Sequence, residues 1–330
     1  MVFGIELPQV VLSVLYFAAI MVAVLLLALY LVWWERKISA HIQLRFGPMM
    51  TGKWHGWIQT FADALKLLQK EDIVPRMADT KVYFWAPVLV FTSCVMTFVV
   101  IPWGPKLIPA DLNIGILYIL AITTFTIISL LMAGWGSNNK YALLGGMRSA
   151  AQIVSYEVPL TLSIMGVVIL AQSLSMQDIV LDQDKFWKWG IIRQPLGFLI
   201  YLVAATAEVN RTPFDLPEAE QELVSGFNIE YSGMKFAMFF LAEFVNMFVV
   251  AAIATTLFLG GWWGPFGTES MGWLWFLLKS MFMVFVFMWI RWTYPRLRVD
   301  HLMEFAWKWL LPLAFLNLMI TCLIYNLVVL

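Results

Sequence analysis

Three glutamates and one lysine stand inside apolar runs of this sequence: Glu157, Glu208, Glu243 and Lys279. A charge at the bilayer centre costs roughly 2.5–3.5 kcal/mol even on a lenient insertion scale, so each of these groups is expected to face protein or water. A low-dielectric setting disfavours the charged form of acids and bases alike, which leaves such groups able to exchange protons. One pair alone, such as Glu243 with Lys279, reads as structural. Three acids and a lysine together read as a relay. The stretch EVNRTPFDLPEAEQELVSGFNIEYSG, 208–233, adds Asp215, Glu218, Glu220, Glu222 and Glu230 against a single basic residue, Arg211. Like charges one helical turn apart, as Glu218 and Glu222 would be, repel each other, so the cluster either sits in water or holds protons. Thr212-Pro213-Phe214-Asp215 has the form of a capping box and predicts the start of a short helix.

The elements that carry these residues follow from composition. The chain of 330 residues is 62% hydrophobic and 13% charged, with a mean hydropathy of +0.81. About a quarter of residues are charged in soluble proteins, so this is an integral membrane protein. Its 21 basic and 21 acidic residues balance and give no sign of a nucleic-acid partner. The N-terminus lacks a basic n-region and a small-residue cleavage site and is expected to be a retained span. Cys94 and Cys322 lie far apart inside apolar runs and suggest neither a disulfide framework nor a cluster site. His41, His55 and His301 have no ligand spacing, so no metal is expected. The methionines read as helix packing, and Gly145-Gly146 as a tight loop.

A span needs about 20 apolar residues. Eight candidates lie near 9–34, 83–103, 114–135, 154–175, 191–209, 235–260, 272–291 and 305–328, within one membrane domain over 1–330. Sixteen of the 21 basic residues then fall in loops after the odd-numbered spans; Lys106, Lys185, Lys188 and Arg193 lie opposite, and Lys279 within a span. Cytoplasmic loops are rich in Lys and Arg, so both termini are expected on the non-cytoplasmic side. Removing the weakest span, 191–209, would largely abolish this asymmetry. Trp33, Trp34, Trp103, Trp135, Trp262, Trp263 and Trp292 fall near span ends, as an aromatic belt requires. Within the loop 35–82, Trp54, Trp57, Ile58, Phe61, Leu65 and Leu68 recur with helical period. They predict an interfacial amphipathic helix over 54–70, either an anchor or a lateral doorway for a lipid-soluble ligand. The fold class is all-α polytopic, with about eight transmembrane helices plus this interfacial one.

Four blocks carry a resemblance: WERKISAHIQLRFGP (34–48), GWGSNNKYALLGGMRSAAQIVSYEVPL (134–160), AEVNRTPFDLPEAEQELVSGFNIEYSGMKFAMFFLAE (207–243) and RWTYPRLRVDHLM (291–303). In order and over nearly the whole chain, they resemble the signature blocks of the H-subunit family of bacterial NADH:quinone oxidoreductase, the respiratory complex I subunit 1 family. The resemblance implies a multi-pass protein of the bacterial inner membrane that forms the membrane side of a quinone chamber and couples quinone reduction to proton translocation. It implies a proton path through Glu157, Glu208 and Glu243, with Asp215, Glu218, Glu220, Glu222 and Glu230 on the loop that senses the chemistry. For the chamber and its entry it implies Glu35, Arg36, Arg45, Phe46 and Gly47, with Pro48 beside them. To these it adds Trp54 and Phe61 on the helix flanking entry, Arg211 and Phe227, and Arg291, Arg296 and Arg298 in the basic loop that seals the cytoplasmic face. Quinone is then a substrate, and no cofactor is bound covalently. NADH, flavin and iron–sulfur clusters belong to partners: peripheral-arm subunits, one carrying the terminal cluster, together with small and antiporter-like membrane subunits.

Two positions depart from the family pattern. Met49-Met50-Thr51-Gly52 stands where a polar Asn and a nearby Arg are common, which implies a less basic chamber mouth. Val209 stands where Thr is common and removes a hydroxyl beside Glu208. With no cluster ligands, nucleotide-binding glycine motif or haem motif, the chain needs redox partners. Intramembrane carboxylates and a central lysine would also suit a stand-alone cation/proton transporter, and a purely structural anchor for peripheral subunits is the third reading.

Overall fold

The computed structural model describes residues 9–53, 55–105, 107–217, 220–264 and 271–329. Helices α1 (Gln9–Ile42), α2 (Gln59–Gln69), α3 (Thr80–Met96), α4 (Gly115–Gly136) and α5 (Lys140–Ala171) are followed by the short α6 (Met176–Asp182) and α7 (Gly190–Arg193). Next come α8 (Pro195–Glu208), the short α9 (Glu220–Leu223), α10 (Gly233–Phe258), α11 (Gly272–Thr293), α12 (Val299–Glu304) and α13 (Leu311–Val329). A wide π-helical turn over Phe305–Leu310 joins α12 to α13 into one span. No strand occurs among the described residues.

Among the described residues, seven helices are long and apolar enough to cross a membrane. The eighth candidate, 191–209, is shorter: α8 has 14 residues, about 21 Å at 1.5 Å per residue, against a hydrocarbon core of about 30 Å. Pro195 begins α8, and the backbone breaks from α7 at Gln194. The Gln194 side chain is buried and donates through Nε2 to Thr321 Oγ1 of α13 at 2.9 Å. A polar bond of this kind holds helices together where lipid offers no alternative partner.

Caps set where the long helices begin. The Asp79 carboxylate accepts from Lys81 N at 3.2 Å to open α3, and the Asn139 side chain accepts from Tyr141 N at 2.9 Å to open α5. The central element is α10, whose span is 67% buried against 17% for α1. Its run from Val249 to Ala254 is dominated by Val and Ala, so α3, α11 and the other helices approach closely. Gly145 and Gly146 do not form the loop expected from the sequence. They lie buried within α5, and a Cβ on Gly145 would sit 2.7 Å from Gly226 Cα, so the missing side chains let two backbones touch.

Two local expectations are corrected. The amphipathic helix begins at Gln59 and not at 54, because Gly52, Lys53, His55 and Gly56 all have positive φ, a region closed to a right-handed helix. Trp57 and Ile58 remain exposed on the turn before it, continuous with exposed Phe61, Leu65 and Leu68. Thr212–Asp215 makes a turn in place of a helical N-cap, with Phe214 N donating to Arg211 O at 2.8 Å. The Gln152 amide holds that turn from α5, and Leu297 N donates to Pro213 O, so tertiary bonds take the backbone groups a helix would have used.

Candidate functional site: a buried ionic cluster

The site grows from α1. Val24, Ala28, Leu31 and Glu35 fall on one helical face, and all are buried. The last is a carboxylate at the end of an otherwise apolar stripe. The loop after α8 meets it with Arg211, only 2% exposed, whose Nη1 donates to Glu35 Oε2 at 2.9 Å and Oε1 at 3.1 Å. Arg211 Nε is 2.7 Å from Glu243 Oε1 on α10, and its guanidinium lies 4.5 Å from the Phe244 ring centre. Arg291, at the end of α11, donates to Glu35 from the other side. Two carboxylates and two guanidinium groups thus form one compensated cluster joining four parts of the chain. Such a cluster offsets the large desolvation cost of each charge and is sensitive to losing a single member.

Beside it lies a cavity of about 50 Å³ lined by Glu208, Glu243, Asn210, Asn246, Thr126 and Cys94 among others. A water needs at least about 10–15 Å³, so the cavity has room for a few. The carboxyls of Glu208 and Glu243 therefore border one small space, whose walls are otherwise largely apolar, with Val90, Leu130, Phe239 and Ala242 among them. Glu208 is 8% exposed, and Glu157 on α5 is close enough for their charges to interact. Asp215 stands in the same relation to Glu243. Phe227 also lines the cavity and packs edge-on against Phe239.

Other expected residues stand elsewhere. Glu230 accepts from Asn139 at 2.7 Å, while its backbone carbonyl accepts from Tyr83, which stacks on Tyr231 at 4.2 Å. Glu222 is exposed and paired with Arg148 at 2.6 Å. That bond first, and then the charges of Arg148, Arg296 and Arg298, hold the Glu222 carboxyl below the usual range. Arg36 pairs with Asp63 of α2 at 2.6 Å, beside an apolar cavity of about 60 Å³ between α1, α2 and α10. Phe61 is exposed on the outer face of α2. Arg45, Phe46 and Gly47 line a separate cleft on the opposite face of α1 from Glu35. Arg296 belongs to the loop that bonds to Pro213. Trp54, Glu218 and the side chain of Glu220 lie outside the described residues. Among the described residues no group of three or more His, Cys, Asp or Glu could hold a metal.

Lys279 does not pair with Glu243. Its Nζ donates to Leu259 O at 2.5 Å, Gly261 O at 3.1 Å and Trp263 O at 2.5 Å, with the Trp189 ring 4.1 Å away. Lysine there caps the C-terminus of α10, where unpaired carbonyls favour a cation. Sequence reasoning also missed Gln152, which is 1% exposed and donates to Ala207 O at 2.8 Å and Phe214 O at 2.7 Å. A glutamine amid the apolar positions of α5 was the available signal.

The family model for NADH dehydrogenase matches residues 15–322. The chain is 50% identical to the H subunit of NADH-quinone oxidoreductase from Carboxydothermus hydrogenoformans, over 95% of this chain and 89% of that one. It is 46% identical to an H subunit of the same enzyme from Geobacter sulfurreducens, over 98% of each, and 49% identical to the one from Anoxybacillus flavithermus, over 96% of each. The chain therefore belongs to the NADH dehydrogenase family, among the H subunits of NADH-quinone oxidoreductase.

Proposed function

We propose that this chain is the membrane subunit of an NADH-quinone oxidoreductase in which it forms the membrane side of the quinone chamber and passes the protonation change of quinone reduction inward. The observation that carries the reading is the Glu35–Arg211–Glu243 chain of ion pairs. It connects the α1 segment bearing Arg36, beside the apolar cavity against α2 and α10, to the small cavity that Glu243 shares with Glu208. Reducing a quinone to a quinol consumes two protons, so negative charge arises near the chamber and must be met by proton uptake. A carboxylate that loses part of its hold on Arg211 when that charge appears gains affinity for a proton. Glu243 is then the first receiver, with Glu208 and Glu157 taking the proton in turn as coupled sites. On this reading Asp215 biases Glu243, while Glu222 and Glu230 fix the loop through Arg148 and Asn139.

The reaction partners follow from membership among the H subunits of NADH-quinone oxidoreductase. Electrons come from peripheral-arm subunits holding flavin and iron–sulfur clusters, and protons pass to neighbouring membrane subunits. With the broken α7–α8 segment, 190–208, as the eighth crossing, both termini face away from the cytoplasm. A photoreactive quinone added to the intact complex in native membranes tests the chamber directly. Adducts are expected on α1, α2, α10 or the 211–230 loop; labelling confined to other subunits, or to the non-cytoplasmic ends of this one, would overturn the assignment.

A further inference from the structure

Opposite the ionic cluster, the end of α1 and the turn after it carry a second basic set. Lys37 and His41, one helical turn apart on α1, and Arg45, three residues past its end, line with Tyr30, Trp33 and Met49 an open cleft of about 500 Å³. A volume of that order suits a small molecule or a lipid headgroup. No carboxylate lines the cleft among the described residues. The hydrogen-bond partners of its cations are neutral: Lys37 Nζ donates to Pro48 O at 2.7 Å and contacts Met49 Sδ at 3.2 Å, and Arg45 Nε donates to Gln43 Oε1 at 2.7 Å. The aromatic wall is built in, with Trp33 Nε1 donating to His55 O at 3.1 Å and the Trp33 and Trp57 rings 4.9 Å apart.

What surrounds the cleft identifies its occupant. Leu44, Phe46 and Met50 are 95%, 89% and 91% exposed, and Trp57, Ile58 and Phe61 continue this apolar surface onto α2. On the other side, exposed Val14, Leu15, Val22 and Leu26 of α1 form a lipid-facing surface. A cationic cleft with tryptophan walls between two greasy surfaces has the chemistry of headgroup depth, where indole rings and basic side chains collect. Basic pockets at this level bind anionic phospholipid headgroups. We propose that the Lys37–His41–Arg45 cleft holds the phosphate of an anionic phospholipid, its acyl chains running down the outer face of α1. The cleft shares no lining residue with either cavity of the quinone reading, and Arg45, which the resemblance put at the chamber mouth, belongs to the lipid site instead.

The intact complex, stripped with a zwitterionic detergent and re-lipidated, tests this. With vesicles of phosphatidylglycerol in phosphatidylcholine, a photoactivatable phosphatidylglycerol is expected to crosslink to peptides within 30–57. Lys37→Gln should weaken its retention roughly fivefold, since one basic residue at the surface contributes about 1 kcal/mol. Equal labelling by phosphatidylcholine would overturn the proposal, as would equal competition by inorganic phosphate, which would make the ligand a free anion. Crosslinks from the cleft to a protein subunit in the untreated parent complex would also overturn it. The parent measurements decide the matter even if the variant fails to assemble.

Discussion

Arg211 holds two carboxylates at once, and nearly all of its side chain is buried. Arg211→Leu would leave Glu35 with Arg291 but Glu243 without its ion-pair partner, and breaking a buried pair costs about 3–5 kcal/mol. The expected outcome is a steep loss of this subunit from membranes, measured by quantitative blotting, with partial recovery when Glu243→Gln is added. A single variant that accumulates like the parent would show that the cluster does not stabilise the fold. Much of this site was legible from residue type: Glu208 and Glu243 were marked by lying in apolar runs. Glu35 was not marked as a buried acid because it stands where a span meets a basic loop, and only the helical phase with Leu31, Ala28 and Val24 turns it inward. Nor could spacing along the chain pair it with Arg211, which is 176 positions away.

At the scale of elements, close backbone contact holds the 226–228 turn on α5. Gly145→Val would push a side chain into Gly226 Cα; overpacking of this kind costs about 1–3 kcal/mol. Faster proteolysis of the 211–230 loop is expected in membranes, and an unchanged rate would mean that the contact is not limiting. The same loop is held at its exposed end by Arg148 and Glu222. Because the Glu222 carboxyl is held low in the folded protein, any stabilisation from it is present above the unfolded pKa of about 4.3 and is lost as pH falls through the lower folded value. Carbodiimide modification of Glu222 across about pH 3–6 should therefore show a lower midpoint in the parent than in Arg148→Gln. Equal midpoints would dismiss the pair. The boundaries of α2 and the Thr212–Asp215 turn escaped sequence reasoning for related reasons. A run of positive φ values overrode an apolar period in the first case, and bonds from Gln152 and Leu297 overrode a local capping pattern in the second.

Across the whole molecule, composition and the length of the apolar runs were enough to give the all-α membrane class and seven long apolar helices among the described residues, because a bilayer imposes length and polarity on each crossing. They gave least at α8, where a helix broken from α7 at Gln194 stands in place of one continuous apolar span. That helix brings Glu208 to the level of Glu243 and leaves room for the shared cavity. The orientation is checked by a C-terminal tag in intact spheroplasts: protease should remove it from the outside, and protection until lysis would invert the topology and move every basic loop to the wrong side. The central claim is that Glu157, Glu208 and Glu243 carry the protonation change of quinone chemistry into the membrane. Its most direct test is the number of protons translocated per quinone reduced by the assembled complex bearing Glu208→Gln or Glu157→Gln in proteoliposomes. The expected result is a lowered ratio or halted turnover for at least one of these variants, with normal subunit content; a parental ratio with amides at all three positions would contradict the account.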